Sequence, residues 1–572
     1  MITLTINGEK VTVPKGTKII DAAKKININI PHLCHFEGLE PIGVCRLCVV
    51  EVKGSKKLMP SCMHEVKEGM EIQTNTHKLR ETRKMLLELI LSKHPADCHT
   101  CERNQNCELL KLANEFGVKT STFNHDDTIQ EIDDSSLSVV RDPNKCILCG
   151  RCIRVCKDIQ GVGAIDLAFR GYDTVVTTFM NRGLGDSPCV NCGQCIAVCP
   201  VGALREQNSI KDVWAAIDNP KKHVVVQEAP AIRTALGEEF GIPAGTLVAG
   251  KMYAALKKIG FDKIFDTNFS ADLTIIEEGN ELVNRITGKI DMPLPQITSC
   301  CPAWIKYMEE FYPDTMENVS TCKSPQQMFG ALVKTYYAEA SGVDPKDIVS
   351  VSIMPCTAKK YECKRPEMND SGYTDVDYVL TTRELARMIR EADIDFASLP
   401  KDVPADSLMG TYSGAGTLFG ATGGVMEAAL RSAYKIITDK EMENIDILPV
   451  RGLKGIKTAT VKINDMDVKV AVAHGLDNAK VLLDEIREGK SPYHFIEIMA
   501  CPGGCVGGGG QPFGTNNFLR ETRSNVLYKE DKDLPIRKSH ENPAIKKVYE
   551  NYLGDPLGKK SHKLLHTKYK KR

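Results

Sequence analysis

Thr298-Ser299-Cys300-Cys301-Pro302 sets two cysteines side by side. Neighbouring side chains leave the backbone in divergent directions, so the pair suits two different tasks better than one shared metal. Two later runs supply thiols of the same kind: Met354-Pro355-Cys356-Thr357-Ala358-Lys359-Lys360, and Ala500-Cys501-Pro502-Gly503-Gly504-Cys505-Val506 followed by Gly507 to Gly510. Thiolates at 301, 356, 501 and 505 suffice for one cubane iron–sulfur cluster and leave Cys300 free for chemistry. Around these runs, 223–227, 261–265, 349–354 and 376–381 are short β-rich stretches. Helical stretches are expected from 231 to 236 and from 252 to 259. The alternation predicts an α/β catalytic domain with parallel-sheet lobes around an active-site cluster, two of its cysteines lying at strand ends or in the loops that follow.

Upstream, the chain carries more thiols. Of 22 cysteines, 15 precede residue 200. Asn7-Gly8 between two alternating runs signals a hairpin, and 21–26 reads as a short helix. Cys34, Cys45, Cys48 and Cys62 follow, and 49–52 reads as a strand leaving them. Four cysteines suit a [2Fe–2S] cluster and also structural zinc. A helix is expected over 79–93, with Leu79, Leu86, Leu87 and Ile90 on its apolar face. Next come His94, Cys98, Cys101 and Cys107, with His99 competing for the histidine role and zinc again the alternative metal. Residues 124–137 are acidic and polar and are expected to form a linker. Then Cys146, Cys149, Cys152 and Cys156, and Cys189, Cys192, Cys195 and Cys199, repeat the bacterial two-[4Fe–4S] ferredoxin pattern. In that pattern the fourth cysteine of each run binds the other cluster, giving 146, 149, 152 with 199, and 189, 192, 195 with 156. Lys157 stands where the pattern has proline. Small α+β ferredoxin-like Fe–S domains therefore precede the catalytic one.

Length and charge bound the rest. At 572 residues the chain has room for about four domains. Lys plus Arg and Asp plus Glu are 74 each, which argues against a nucleic-acid partner. No apolar run reaches membrane-spanning length, and the first ten residues form no leader, so a cytoplasmic location is expected. Gly-rich 410–432 matches no phosphate loop and is expected to pack its backbone against a bulky cofactor. The basic end, 562–572, is expected to be solvated.

The three signature runs, with this N-terminal array, resemble the iron-only [FeFe]-hydrogenases, and the whole chain is similar to their clostridial, monomeric, multi-cluster form. The resemblance implies five segments: a [2Fe–2S] domain (1–78), a [4Fe–4S] domain with one histidine and three cysteine ligands (79–123), a 2[4Fe–4S] domain (138–209), the catalytic domain (210–525) and a small-subunit-like extension (526–572). It implies one [2Fe–2S] cluster, three accessory [4Fe–4S] clusters, and an H-cluster whose cubane, on Cys301, Cys356, Cys501 and Cys505, is bridged through Cys505 to a diiron unit carrying CO, CN and azadithiolate. His94 becomes the histidine ligand. Ala229, Pro230, Pro325, Gln326, Met354, Phe419 and Met499 would line the pocket, and Lys359 would donate to a cyanide. Ala231 stands where the clostridial relatives have serine, so only its backbone N–H is left to serve. Cys300 becomes the proton donor, and Glu278, Ser320 and Glu281 the relay to the surface. Cys322 and Cys363 are left as idle buried thiols.

The implied reaction is reversible reduction of protons to H2, with ferredoxin or flavodoxin as electron carrier, maturases to build the diiron unit, and no nucleic-acid or membrane partner. Two other readings remain open here: an Fe–S assembly scaffold without hydrogen chemistry, and an H2 sensor. The ligand count implies about 20 irons per chain. Metal analysis of the matured protein should find them; stoichiometric zinc would remove the Cys34 or His94 assignment.

Overall fold

Asn7 and Gly8 take positive φ, 52° and 90°, and close the hairpin between Ile2–Ile6 and Glu9–Val13. The computed structural model describes residues 1–123 and 129–572. The hairpin enters a five-stranded sheet with Glu71–Gln73, Val49–Val52 and Met59–Pro60, covered by the helix Ile19–Lys25. Helix His77–Leu91 follows, buried through Leu79, Arg83 and Leu87, with Leu86 and Ile90 half-buried. Arg83 donates to the carbonyls of Leu47, Thr74 and Val49 at 2.9–3.0 Å. The helix is thereby fastened to the loop that carries Cys48.

The polar stretch expected as a linker is in part packed. Residues 124–128 lie outside the described residues. Beyond them, the backbone N–H of Asp133 and that of Arg141 each donate to the other residue's carbonyl at 2.9 Å. Ser136 is buried. The Asp133 carboxylate draws the segment in, because Arg141 and the Leu184 amide both donate to it. The following unit has Val139–Arg141 antiparallel to Leu204–Glu206, with short helices Arg151–Arg154 and Gln194–Val198 behind the two cysteine runs.

The catalytic part has two four-stranded sheets. One runs Lys263–Asp266, His223–Glu228, Ile348–Met354, Tyr378–Thr381, all parallel. Its strands are the four β-rich stretches of the sequence. The other runs Gln296–Ile297, Phe495–Met499, Met466–His474, Ile456–Ile463, parallel except at its last edge. Helices Ala249–Ile259, Thr267–Ile286, Pro302–Phe311, Pro325–Leu332 and Gly424–Thr438 cover the sheets.

Two expectations need correction. Residues 231–235 are turns, followed by the 3-10 segment Leu236–Phe240, where a helix from 231 was expected. Arg233 explains the departure: fully buried, it pairs with Glu228, with Asp266 at 2.6 Å and with Glu530 at 2.9 Å. Satisfying that guanidinium overrides local helix propensity. The basic end is not simply solvated either. Its lysines are exposed, but Thr567 N donates to Thr321 O at 2.8 Å and Arg572 Nε to Glu309 at 3.1 Å. Upstream, helix Asn517–Asp533 runs continuously across position 525.

The two-cluster unit is clamped onto the catalytic part by backbone contacts. Thr357 Oγ1 donates to Asn191 O (2.7 Å), Gln194 Nε2 to Gly507 O (2.9 Å) and Gln160 Nε2 to Ala500 O (2.9 Å). Arg383 joins the parts, reaching Glu206 at 2.8 Å and Gly509 O at 2.9 Å. Gly193 and Gly509 allow the approach. A Cβ on Gly509 would lie 2.3 Å from Cys192 O, and one on Gly193 would lie 2.3 Å from Thr357 Oγ1. Gly509→Ala is therefore expected to lose about 1–3 kcal/mol by overpacking, read as a lowered thermal unfolding transition with weaker retention of iron at the adjoining sites.

Candidate active site

Four cysteines reach one cavity from four places. Cys301 follows Gln296–Ile297 and sits at the start of helix Pro302–Phe311; Cys356 follows Ile348–Met354; Cys501 follows Phe495–Met499; Cys505 opens the turn Cys505–Gly507. All four line a buried cavity of about 80 Å³. Glycines let the loops close on it. A Cβ on Gly504 would meet Thr422 N at 2.6 Å, and one on Gly508 would meet Pro355 O at 2.0 Å.

Burial pushes the Cys356 thiol up to about 12, and it drives Cys501 and Cys505 up as well, each with the neighbouring thiols adding. Gathering four buried or half-buried thiols that repel as thiolates is unfavourable for a bare protein. Cationic iron reverses this, since a coordinated thiol is deprotonated outright. None of the 22 cysteines is in a disulfide. The donor set fits an iron–sulfur cubane.

Cys300 faces the same cavity. Burial, and then the charge of Glu278, push its thiol up, while Lys359 opposes them. Lys359 Nζ donates to Cys300 O (3.1 Å) and to Glu362 (2.9 Å). Glu362, which the sequence did not single out, also accepts from Gln326 and Ser324 and so fixes that corner. Ala229, Pro230, Pro325, Gln326, Met354, Phe419 and Met499 all line the cavity. Ala231 does not. It is buried against Leu527 and Val506, and its carbonyl accepts from Gln511 at 2.9 Å.

The 410–432 glycines mostly serve protein packing, in contrast to the cofactor contact expected. A Cβ on Gly414 would strike Asp531 at 2.1 Å, one on Gly416 the carbonyl of Asn268 at 2.6 Å, and one on Gly423 that of Val450 at 1.9 Å. The run reaches the cavity through Phe419.

Glu278 and Glu281 lie on helix Thr267–Ile286. Both oxygens of Glu278 are buried and lack a hydrogen-bond partner among the described residues. Burial, reinforced by the charge of Glu281, pushes its carboxyl up to about 8. Ser320 Oγ donates to Glu281 at 2.8 Å, and Arg285 pairs with Glu281 at 2.6 Å. Arg285, Thr321 and His566 complete the outer end. Thr321 Oγ1 meets His566 Nδ1 at 2.8 Å, and His566 Nε2 meets Glu277 at 3.0 Å. The spacing of four between Glu281 and Arg285 could have marked that pair; His566 carried no local signal. Cys322 and Cys363 are buried outside this cavity.

The upstream thiols gather in sets. Cys146, Cys149, Cys152 and Cys199 line one cavity; Cys156, Cys189, Cys192 and Cys195 line another. The crossed pairing expected from the repeat is thus the arrangement in space. Hydrogen bonds from Cys45 and Cys62 hold the Cys34 thiol below its usual range, and Cys48 Sγ lies 3.4 Å from Cys62 Sγ. Cys101 and Cys107 are close enough to repel as thiolates. His94 Nδ1 is buried without a hydrogen-bond partner among the described residues, and burial lowers the imidazole's pKa, leaving a neutral nitrogen suited to metal. His99 is exposed in a surface groove. Cys98 is half-buried. The loop of Cys192 lies against that of Gly509, which brings the second of these sets up to the catalytic part.

Family models match in the same order. They are a 2Fe-2S iron-sulfur cluster binding domain at 1–77, the NADH-ubiquinone oxidoreductase-G iron-sulfur binding region at 83–122, and the ferredoxin-like domain of NADH-quinone oxidoreductase subunit 3 at 137–205. The C-terminal domain of the iron only hydrogenase large subunit matches 222–509, and the iron hydrogenase small subunit matches 517–572. The chain is 48% identical to NADP-reducing hydrogenase subunit HndD of Solidesulfovibrio fructosivorans, over 100% of this chain and 99% of that protein. It is 45% identical to iron hydrogenase 1 of Clostridium pasteurianum, over 100% of both. A solved variant of [FeFe]-hydrogenase HydA1 from Chlamydomonas reinhardtii is similar with TM-score 0.58 and 43% identity, covering 64% of this chain and 99% of that one. With its thiol-lined catalytic cavity behind a series of Fe–S sites, the chain belongs to the iron-only [FeFe]-hydrogenases, of the multi-cluster type.

Proposed function

We propose that this hydrogenase interconverts protons and H2 at the 301/356/501/505 cavity, with electrons supplied through the upstream sites and protons through Cys300, Glu278, Ser320 and Glu281. The observation that carries the reading is a fifth thiol, the half-buried Cys300, facing the four-thiol cavity, with the carboxyl of Glu278, which has no hydrogen-bond partner among the described residues, near enough to act on it. When bound, the H-cluster supplies the redox and H2-forming chemistry. The protein's part is position, charge and proton access. Lys359, already fixed by Glu362 and Cys300 O, has an ammonium able to donate further toward an anionic ligand in the cavity. Ala229, Pro230, Pro325, Met354, Phe419 and Met499 give a largely apolar wall that limits water.

Four accessory clusters would form the wire: [2Fe–2S] on Cys34, Cys45, Cys48 and Cys62, and three [4Fe–4S] clusters, one of them on His94, Cys98, Cys101 and Cys107. Ferredoxin or flavodoxin is the electron carrier in this reading, maturases supply the diiron unit, and the protein works as a cytoplasmic monomer. Among the described residues no helix is long and apolar enough to cross a membrane. The full-length identity to HndD, a subunit of an NADP-reducing hydrogenase, favours a second reading, in which the wire exchanges electrons with a nucleotide-binding partner subunit instead of a free carrier. H2 evolution by the isolated chain with reduced ferredoxin supports the free carrier; no ferredoxin-driven turnover, with NADP-linked turnover appearing only when a nucleotide-binding subunit is added, supports the second reading.

Cys300→Ser is expected to keep full iron and the CO and CN infrared bands, while H2 evolution and uptake both fall by roughly 10²–10⁴, the usual cost of losing a positioned acid of suitable pKa. Cys300→Asp should recover part of the activity, and Cys301→Ser should instead damage the cubane. Loss of the infrared bands in Cys300→Ser with their retention in Cys301→Ser would reverse the two assignments.

A carboxyl with pKa near 8 is protonated at neutral pH and ionises as pH rises through that value. Proton delivery for H2 evolution is therefore expected to decline on the alkaline side of about pH 8. Glu278→Gln should lower the rate by about two orders of magnitude and abolish that limb. An alkaline limb unchanged in Glu278→Gln would assign it to another group.

A further inference from the structure

Arg103 is 3% exposed, and its Nε and Nη1 have no hydrogen-bond partner among the described residues. Its one hydrogen bond runs from Nη2 to Cys199 O at 3.0 Å. Its guanidinium lies over the Phe513 ring, 3.4 Å from the centroid. Nearby carboxylates are already engaged. Glu108 is held by Arg151 at 2.7 and 2.9 Å, and Glu206 by Arg383 at 2.8 Å. A buried cation with two idle donors and no carboxylate is unfavourable unless something else anionic faces it.

The anionic neighbours are cysteines of two different sets. Cys199 and Cys107 both lie within electrostatic reach of Arg103. The two sets are packed together at Gly202, where an added Cβ would sit 2.7 Å from Cys101 Sγ and 3.8 Å from Arg103 Cγ. Glu108 N donates to Pro200 O at 3.0 Å across the same seam. Arg103 thus stands at the junction between the His94/Cys98/Cys101/Cys107 site and the Cys146/Cys149/Cys152/Cys199 site. Phe513, from the segment after the active-site glycines, is shared by Arg103 and Arg383, whose guanidinium lies 4.4 Å from the ring centroid.

We propose that Arg103 is the common counterion of these two clusters and raises the reduction potentials of both, the idle N–H groups serving cluster sulfur. The inference rests on the ligand sets of the proposed function. Thiolate-held clusters are anionic and gain a further negative charge on taking up an electron. A fixed cation in a site of low dielectric favours that reduced form, and it acts on both clusters because it lies between them. Arg103 is a positioning and tuning residue: it neither ligates iron nor moves a proton.

The test is a potentiometric titration of the full, matured chain followed by electron paramagnetic resonance, with iron content measured in parallel. In Arg103→Gln, at a fixed solution potential, the reduced-to-oxidised ratio of both clusters is expected to fall at least tenfold, a shift of ~59 mV for a one-electron couple. Arg103→Lys, which keeps the charge, should stay within about threefold of the wild-type ratio. Phe513→Leu, which removes only the stacking, should leave both midpoints in place. Unmoved midpoints in Arg103→Gln, or an equal fall in Arg103→Lys, would overturn the proposal. If Arg103→Gln loses iron, Arg103→Lys decides: full iron with a wild-type ratio supports the charge, and a tenfold fall excludes it. Absence of the two cubane signals from the wild-type protein would instead overturn the ligand assignment.

Discussion

The upstream cysteine sets depend for their place beside the catalytic cavity on the meeting of two turns without side chains, Gly193 beside Cys192 and Gly509 after the active-site cysteines. Any Cβ on Gly509 would enter the carbonyl of Cys192. Electron transfer needs metal sites close together, and protein backbone is the least compressible thing between them. Removing side chains at the seam lets two ligand loops touch through main chain alone. The hydrogen bonds from Thr357, Gln194 and Gln160 then hold that contact in register. The position of the wire relative to the reaction site follows from it.

Charge is managed along the same seams. Thiols that would repel one another are brought together where iron can neutralise them, and arginines stand between the sets. Arg154 donates to Cys34 O at 2.5 Å, linking the first cysteine set to the helix that follows Cys149. Arg83 holds the Cys48 loop, and Arg103 sits between two further sets. At the catalytic cavity the cation is Lys359, restrained by Glu362 on one side and by Cys300 O on the other. The two carboxyls proposed for proton transfer sit on one helix, Glu278 without a hydrogen-bond partner among the described residues and Glu281 bound by Arg285.

Much of this was legible in the sequence because metal ligation leaves dense local patterns. The ferredoxin repeat gave the crossed cysteine sets, and they line two separate cavities as expected. The β-rich stretches gave one whole parallel sheet. The second sheet was missed. One of its strands, Gln296–Ile297, has two residues, and its hairpin, Ile456–His474, is polar on its outer strand. The 410–432 run misled for a physical reason: glycine permits close approach without saying to what, and here the partners are Asp531, Asn268 and Val450.

What the sequence determined by itself is the kind of chemistry: runs of thiols at spacings that suit Fe–S clusters, and a Cys300-Cys301 pair in which two different roles were expected. Such features rest on residue type and spacing, and those are local. Only the tertiary structure decided which distant groups meet. His566, just past the helix Lys559–Leu565, reaches Thr321 and Glu277. Phe513 covers Arg103 from far along the chain. Arg233 bends its own segment to reach three carboxylates on separate elements. Glu228 is close to Arg233 in sequence, but Asp266 and Glu530 reach it only through the packing of whole sheets and helices, and no short window of sequence contains all four.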